Sequence, residues 1–398
     1  MSAILDAFTR DELQRSQVDE LPSALPNNLS NPIHPTYYRS QWDDCPDEVY
    51  ELFTPSVRLA SLMITSQASL IFYDALMHKH RKRLHEPSAR LGKECYEFHG
   101  FDSDGRDPAD PQNLYEVSQE VASLKTHIRC RLIQNVAEQS GHFAVTRRTT
   151  VIVKKDDWPC GTESTISVGT DYISSLREVG ANGSVSQLLR LQFHVALTFA
   201  HELVHAVNHA VSLETYEPFF QDQRLAELGH AWEQAVFGGR PAFLGPTDAR
   251  NPLIFAKWPT AFKEAHPEVN LERRLPKRTH TFYFIPMTFL AKIQQQGFWA
   301  GAGDQNTLTI PKRLGRQISG EGPFDPTWFS QESSEGRHPG SNRGRVTRDD
   351  LDDNWEHLDE PGMDPMDWDN FGIELPDDEN IKLTQSMIDD FEKDMDDI

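Results

Sequence analysis

The chain has 398 residues, which is enough for one large domain or two ordinary ones. Hydrophobic residues make up 38% of it, so part of the chain can form a sizeable core. There are 61 acidic and 39 basic residues, and the net charge is −22. Residues 349–398 alone contain 20 acidic residues and two lysines, so the other 348 residues carry a net charge of only −4. This distribution lacks the basic face of a nucleic-acid-binding domain, and we expect no direct nucleic-acid contact.

Membrane insertion and export are not expected from the sequence. It contains no run of 18 uncharged apolar residues, and its first 15 residues lack the basic and apolar regions of a signal peptide. The four cysteines lie 50, 35 and 30 residues apart and form no CxxC pair. This spacing excludes a zinc ribbon and a disulfide framework. We therefore expect an intracellular protein, in the cytoplasm or nucleus, that makes no membrane contact.

Composition divides the chain into four regions. Residues 1–45 are rich in Pro, Asn, Ser and Gln, which predicts an extended N-terminal arm with one helix near residues 4–17. Residues 46–300 have the patterning of a globular domain. Residues 301–348 form a Gly/Ser/Pro-rich linker, and residues 349–398 form the acidic tail. Both termini are therefore expected to be flexible.

The end of the acidic tail carries an apolar stripe. Leu383, Met387, Phe391 and Met395 recur every four residues, which predicts one apolar face of an amphipathic helix. Such a helix would dock on a protein partner or on the chain's own cleft. The alternative is a solubilising segment without a partner.

Residues 46–300 predict an α+β fold. Periodic apolar residues indicate helices over 57–80, 114–139, 184–211 and 223–237. Runs rich in β-branched residues indicate a small upstream β-sheet with strands over 149–155 and 165–173. A short strand over 282–289 would lead into a helix that ends near Trp299.

The segment with the clearest chemistry is the HExxH pattern at residues 201–205. Residues four apart lie on one helix face, so the imidazoles of His201 and His205 can reach a single zinc ion. Glu202 lies one step round the helix, where its carboxylate can act as general base towards a water that zinc polarises. One zinc ion per chain is therefore expected.

The surrounding helix strengthens this interpretation. The polar residues of the 193–208 segment all fall within an arc of about 120°, and HExxH lies on that arc. Buried polar groups need partners, so this polar stripe must face polar groups in the fold. A metal-binding cleft would supply them, whereas a solvated stripe on a surface helix is the alternative.

The motif resembles that of the zincin metallopeptidases, whose active-site helix carries HExxH. The resemblance covers about 40 residues and implies that His201 and His205 are zinc ligands and Glu202 is the catalytic acid/base. It also implies a zincin-like domain with a buried active-site helix. The whole chain is similar to fungal proteins that share this helix and a downstream AELG…WE…FGG stretch, a similarity that assigns no activity.

The third zinc ligand remains open at the level of sequence. The metzincin pattern is excluded, because Asn208 and Val211 occupy its Gly and His positions. In gluzincins the ligand is a Glu on the next helix, which corresponds here to Glu227, 22 residues after His205. The acidic residue that follows four positions later in gluzincins is replaced by Ala231.

Several other residues are candidates for the site. His230 and His209 are alternative ligands or would support a ligand from behind. Glu214 and Glu217 lie in the connecting loop, and helical spacing turns Glu233 away from the site. Tyr216, His280 and Tyr283 are candidate oxyanion donors, and each has an alternative role in packing.

These observations predict a zinc metallopeptidase that hydrolyses peptide bonds in a peptide or protein substrate. One alternative is an inactive zincin-fold binding or scaffold protein that acts through its acidic tail. The other is an SprT-like protease, a class that uses a third His and acts on chromatin-bound proteins. The missing zinc ribbon and basic patch argue against the latter.

Overall fold

The computed structural model describes residues 18–78, 82–84, 95–98, 107–134, 144–153, 161–214, 217–221, 227–243, 251–256, 278–300, 308–311 and 315–320. Their helices are α1 (Asp47–Ile64), α2 (Gln67–His78), α3 (Pro111–Ser123), α4 (Asp171–Asn182), α5 (Val185–Val211), α6 (Leu228–Phe237), α7 (Met287–Lys292) and α8 (Gln296–Ala300). Their strands are β1 (Trp42–Asp43), β2 (Lys82–Leu84), β3 (Cys95–Phe98), β4 (Ile128–Ile133), β5 (Ala144–Val153), β6 (Gly161–Gly169), β7 (Phe219–Phe220), β8 (Arg240–Phe243), β9 (Leu253–Ala256), β10 (Arg278–Phe284) and β11 (Gly315–Gly320). The mixed α+β class predicted from the sequence is confirmed.

Helix α5 lies at the centre of the fold, with 20 of its 27 residues buried. Its start is set by a capping box: the Ser184 hydroxyl accepts the Gln187 N–H, and the Gln187 side chain accepts the Ser184 N–H. The helix then runs to Val211, so the predicted helix over 184–211 is confirmed. Strand β6 packs closely on its last turns, where a Cβ at Gly161 would overlap the Ala210 carbonyl.

The main sheet contains four strands in the order β1-β4-β6-β5. Strands β1 and β4 are parallel, as are β4 and β6, whereas β5 is antiparallel to β6. In the described part of the chain β5 therefore has one strand neighbour and lies at the edge of this sheet. Two further sheets have the orders β11-β10-β9-β8 and β2-β3-β7.

Residues 18–45, within the predicted N-terminal arm, pack into the core around α5. Leu21, Leu29, Tyr37 and Trp42 are each at most 6% exposed. The Tyr37 hydroxyl donates to the Phe199 carbonyl at 2.9 Å, in the turn of α5 that precedes the HExxH motif. The arm therefore contributes directly to the packing behind that motif.

The prediction of a helix over 114–139 is wrong for residues 124–133, and residues 135–139 lie outside the described chain. The chain makes a 3₁₀ turn at Leu124–Thr126 and then enters β4. This strand pairs in parallel with β6 on one side and with β1 on the other, and it buries Ile128 and Cys130. Pairing with residues distant in sequence therefore outweighs the local helical spacing.

The single helix predicted over 57–80 is wrong at both its start and its continuity. Helix α1 begins at Asp47, and the chain bends by 66° between α1 and α2. At the bend the Thr65 hydroxyl donates to the Ser61 carbonyl and the Ser66 hydroxyl donates to the Met63 carbonyl. Such side-chain bonds compete with the helical backbone pattern and favour a bend.

Three other predicted elements have different bounds in the structure. The strand predicted over 165–173 stops at Gly169, because α4 begins at Asp171, whose carboxylate favours a helix N-terminus. The strand predicted over 149–155 is the second half of β5, which ends at Val153; residues 154 and 155 lie outside the described chain. The strand predicted over 282–289 is wrong beyond Phe284, where β10 ends, because Pro286 precedes helix α7 at Met287. The helix predicted to end near Trp299 is two short helices, α7 and α8, and α8 ends at Ala300.

Several predictions fall outside the described residues. These are the helix near residues 4–17, most of the linker over 301–348, and the whole acidic tail with Leu383, Met387, Phe391 and Met395. Among the described helices, none is by itself long and apolar enough to cross a membrane. The α1–α2 pair meets that criterion only when both helices are combined across their bend.

We predict that His34 makes the fold sensitive to acid. Burial lowers the pKa of this imidazole from 6.5 to about 4. The unfolded chain therefore binds a proton below pH 6.5 that the folded chain binds only near pH 4. This contribution to stability is complete above pH 6.5 and is lost as the pH falls towards 4. From pH 8 to pH 5, the free energy of unfolding should decrease by about 2 kcal/mol because of His34.

His34→Asn is the matched variant for this prediction. The His34 side chain caps the Pro35–Tyr37 turn by accepting the Thr36 N–H, and an Asn oxygen can accept the same bond without titrating. Urea unfolding at pH 8 and pH 5 should show a decrease that is about 2 kcal/mol smaller in the variant. An equal decrease in both proteins would contradict the assignment to His34.

Candidate metal centre

Three side chains from two elements meet at one point. His201 and His205 project from α5, and Glu227 approaches from the residue that precedes α6. Glu227 Oε1 lies 3.1 Å from His201 Nε2 and 3.2 Å from His205 Nε2. The two Nε2 atoms are 3.2 Å apart. The three atoms therefore form a nearly equilateral triangle.

The size of this triangle fits a zinc ion. Zinc binds nitrogen and oxygen at about 2.0–2.1 Å with tetrahedral geometry, which places neighbouring ligand atoms about 3.3 Å apart. All three measured edges lie within about 0.2 Å of that value. Two imidazoles and one carboxylate are also a ligand set that leaves a fourth position open, as catalytic zinc sites do.

Glu227 is held in place by the helix that it starts. Its backbone is extended, with φ −142° and ψ 98°, and it is the N-cap of α6. Glu227 Oε2 accepts the His230 N–H at 2.6 Å, which leaves Oε1 directed at the two imidazoles. The prediction that Glu227 lies within a helix over 223–237 is wrong, because α6 begins at Leu228; residues 222–226 lie outside the described chain.

Each of the two imidazoles is supported by a carboxylate on its other ring nitrogen. His201 Nδ1 is 2.8 Å from Glu233 Oε1 on α6, and His205 Nδ1 makes a short hydrogen bond with Glu217 Oε1. Glu217 Oε2 also accepts the Leu228 N–H at 2.9 Å. Carboxylates in this position fix the orientation of a metal-ligating imidazole and raise its basicity.

The expectation that Glu233 faces away from the site is wrong. It assumed a continuous helix through Glu227, whereas the extended backbone at that residue changes the direction of α6 relative to the triangle. Glu233 therefore supports His201, although Ala231 occupies the position where the gluzincin pattern has its acidic residue. Glu233 lies six residues after Glu227, whereas the gluzincin acidic residue lies four residues after its ligand.

His230 lies behind His201. Its Nδ1 atom is 3.0 Å from Glu233 Oε2, and its ring centroid is 4.8 Å from that of His201. His201, His230 and Glu233 form a second group with metal-binding atom types. In this group Glu233 uses a different oxygen for each imidazole at hydrogen-bond distance, a geometry that favours a supporting network over ligation.

Glu202 is buried beside the edge strand. It is 7% exposed, and its Oε2 atom accepts a hydrogen bond of 2.7 Å from the Thr146 hydroxyl on β5. The same hydroxyl lies 2.9 Å from the Glu202 carbonyl oxygen. The Thr146 hydroxyl, which has one hydrogen to donate, therefore lies against both the backbone and the carboxylate of Glu202.

Three further polar residues of α5 also have polar partners. His209 is 9% exposed and its Nδ1 atom is 2.9 Å from Ser164 Oγ on β6, so it packs against the sheet. Towards the start of the helix, His194 and Thr198 both contact the Tyr172 hydroxyl on α4. The polar stripe predicted on this helix therefore faces polar groups at six of its positions, which are His194, Thr198, His201, Glu202, His205 and His209.

Electrostatics in the site are dominated by close carboxylate–imidazole pairs. Burial lowers the pKa of His201, but Glu227 and Glu233 outweigh burial and raise it to about 10. Burial likewise opposes a charge on His205, yet Glu217 and Glu227 raise its pKa well above the usual 6.5. Burial raises the pKa of Glu227, but the surrounding imidazoles hold it well below its usual range. A metal ion that binds here replaces protons on the imidazoles.

The three candidate oxyanion donors are not joined to the site by the described contacts. Tyr216 lies outside the described residues, and for His280 only the backbone, in β10, is described. Tyr283 also lies in β10, where its ring centroid is 5.4 Å from that of Phe255. Tyr283 thus contributes to packing in the second four-stranded sheet.

Comparison with known proteins adds no identity to this geometry. No protein-family model, curated protein sequence or solved structure matches the chain. The resemblance to zincins therefore rests on the HExxH helix and its surroundings, and it remains a prediction.

We predict that Gly229→Ala destroys the site. A Cβ at this position would overlap the imidazole of His201, so the ring must move away from Glu227. The variant should lose zinc when zinc content is measured on purified protein by mass spectrometry. Gly180→Ala is the matched control, because a Cβ there meets nothing within 4 Å. Equal zinc content in both variants would contradict the close packing of Gly229 on His201.

We also predict that Glu233→Gln weakens zinc binding. The variant keeps the size of the side chain but removes the charge that orients His201, and losses of such partners typically reduce metal affinity by about 10- to 100-fold. Competition with a fluorescent zinc chelator measures this change. Glu163→Gln is a suitable control, since Glu163 also faces a histidine, His127, but lies on β6. A similar affinity in the two variants would refute the supporting role of Glu233.

Proposed function

We propose that the protein is a zinc-dependent metallopeptidase with a zincin-like catalytic domain. The observation that carries this proposal is the triangle formed by His201, His205 and Glu227, with the buried carboxylate of Glu202 on the same helix. Its donor atoms and spacing suit zinc with three protein ligands and an open position. These residues would hold one zinc ion per chain.

The chemistry follows from the roles that these side chains can perform. When bound, zinc would supply Lewis-acid chemistry by polarising a water molecule and a substrate carbonyl. Glu202 would accept a proton from the attacking water and pass it to the leaving amine. Thr146 would hold the carboxylate in place during both transfers, because its hydroxyl donates to Glu202 Oε2. Glu217 and Glu233 would keep His205 and His201 oriented.

The edge strand β5 offers a place for a substrate backbone. It pairs with β6 along one side and contacts Glu202 through Thr146. An extended peptide added to its other side would form backbone hydrogen bonds next to the metal centre. Peptides and unfolded protein segments fit this arrangement, because they can adopt the required extended backbone.

Two features favour this proposal over its alternatives. A binding or scaffold protein would need the metal ligands at most for stability, whereas the ordered Thr146–Glu202 pair supports a catalytic carboxylate. An SprT-like site would use a third histidine, whereas the third vertex of the triangle is Glu227. The geometry therefore favours peptide hydrolysis at a two-histidine, one-glutamate site.

Zinc content and peptide cleavage, measured together, test the proposal. The wild-type protein should contain about one zinc ion per chain and cleave members of a peptide library. Glu202→Gln should keep its zinc but lose activity by about 100-fold or more, because the general base is removed. His201→Ala and Glu227→Ala should lose both zinc and activity.

The control is Gly180→Ala, which should resemble the wild type in both measurements. Thermal unfolding of each variant separates loss of zinc from loss of fold. A wild-type protein that neither contains nor takes up zinc would overturn the metallopeptidase proposal. Full activity in Glu202→Gln would overturn the role of Glu202 as general base.

A further inference from the structure

The partly exposed residues in the second part of α5 form a single line. Between Leu191 and Val211, every residue of this helix is buried except His194, Thr198, His201 and His205. These four residues are spaced by four, three and four positions, so they lie along one face of the helix. Because the residues on both sides of the line are buried, the accessible part of this stretch of helix is one narrow strip, which we call the groove. The groove leads from the metal centre towards the start of α5.

The end of the groove away from the metal centre contains an ordered hydrogen-bond network. The Thr198 hydroxyl donates to the His194 carbonyl at 3.0 Å, and the Tyr172 hydroxyl lies 2.8 Å from Thr198 Oγ1 and 2.8 Å from His194 Nδ1. All three bonds form together only when Tyr172 donates to Thr198 and His194 Nδ1–H donates to Tyr172. Tyr172 is 1% exposed, so it supports the two groove residues from behind.

This end of the groove is uncharged at neutral pH. Burial lowers the pKa of His194 to about 4, despite the opposing influence of Glu233. Burial also raises the pKa of Tyr172 well above its usual value of 10. The ring centroid of Phe243 lies 4.6 Å from that of His194 and adds an apolar wall. A polar, neutral group with an apolar stem matches these surroundings better than a charged group does.

We propose that His194 and Thr198 form a specificity subsite for an uncharged, hydrogen-bonding side chain of the peptide substrate. Tyr172 is a positioning residue for this subsite, because it contacts His194 and Thr198 from the buried side. The inference rests on the proposed peptidase function and adds the substrate position that the groove selects. Asn, Gln, Ser and Thr are the side chains of this chemical class.

The position in the substrate follows from the geometry of the helix. The midpoint of His194 and Thr198 is seven residues, or about 10 Å, from the midpoint of His201 and His205. An extended peptide covers this distance in about three residues. The selected side chain therefore belongs to the third residue from the cleaved bond.

The direction of β5 identifies the side of the cleaved bond. Thr146 lies beside Glu202, and Arg148, two residues later, donates to the carbonyl of Glu214 beyond the end of α5. Strand β5 therefore runs in the same direction as α5. A peptide paired antiparallel to β5 runs towards His194 after the cleaved bond. The subsite then receives the third residue on the C-terminal side.

Cleavage of a random peptide mixture by the zinc-loaded, full-length protein tests this inference. Sequencing of the products by mass spectrometry gives the residue preference at each position around the cut. The third residue after the cut should be enriched in Asn, Gln, Ser and Thr by about 3- to 10-fold over Ala, Asp and Lys. His194→Phe, Thr198→Val and Tyr172→Phe should reduce this preference to less than about 2-fold at that position alone.

Matched variants distinguish recognition from a general loss of structure. Thr198→Ser keeps the hydroxyl and should retain the preference, and Ser174→Ala, on the exposed side of α4, should leave it unchanged. Each variant should keep its zinc, and the loss should appear in KM for peptides that carry the preferred side chain.

An unchanged preference in His194→Phe and Thr198→Val would overturn the subsite while leaving the peptidase proposal intact. Enrichment of charged residues at this position would also overturn the subsite. If the zinc-loaded wild type cleaves no peptide, both proposals are overturned.

Discussion

Burial of the polar stripe on α5 is the constraint on which the rest of the structure depends. A helix with 20 of 27 residues buried can carry histidines and a glutamate only if other elements supply polar partners. Four elements do so at four levels: α4 offers Tyr172, β5 offers Thr146, β6 offers Ser164, and the start of α6 offers Glu227. The positions of these elements around α5 therefore follow from the need to give each buried polar side chain of α5 a polar partner.

The start of α6 links backbone capping to the metal centre. Glu227 and Glu217 each use one carboxylate oxygen for a first-turn N–H of α6 and the other for an imidazole of α5. The partial positive charge at a helix N-terminus attracts such carboxylate oxygens. Each glutamate is thus held at two points, which restricts the direction of the oxygen that faces the histidines. The geometry of the centre and the first turn of α6 form one structural unit.

Elements that are encoded by neighbouring residues could be predicted from the sequence, whereas elements that depend on contacts between distant residues could not. The bounds of α5 follow from a capping box and a strong periodic pattern, both encoded within a few residues. The helix prediction is wrong for strand β4, because its pairing with β6 depends on residues more than 30 positions away. Glu227 can be chosen by its spacing from His205, but its extended backbone cannot be predicted, and the predicted direction of Glu233 is wrong for that reason. Thr146 carries no local signal, since its partner Glu202 is 56 residues away.

The burial of the N-terminal arm affects how shortened forms of the protein should be interpreted. Composition alone suggests removing everything before residue 46, but that cut would delete Leu21, Leu29, Tyr37 and Trp42 from the interior. Tyr37 bonds to the Phe199 carbonyl, two residues before His201, so its removal would loosen α5 beneath the metal centre. A trimmed protein that fails to retain metal would therefore reveal damage to the support of the helix, although every proposed ligand is still present in it.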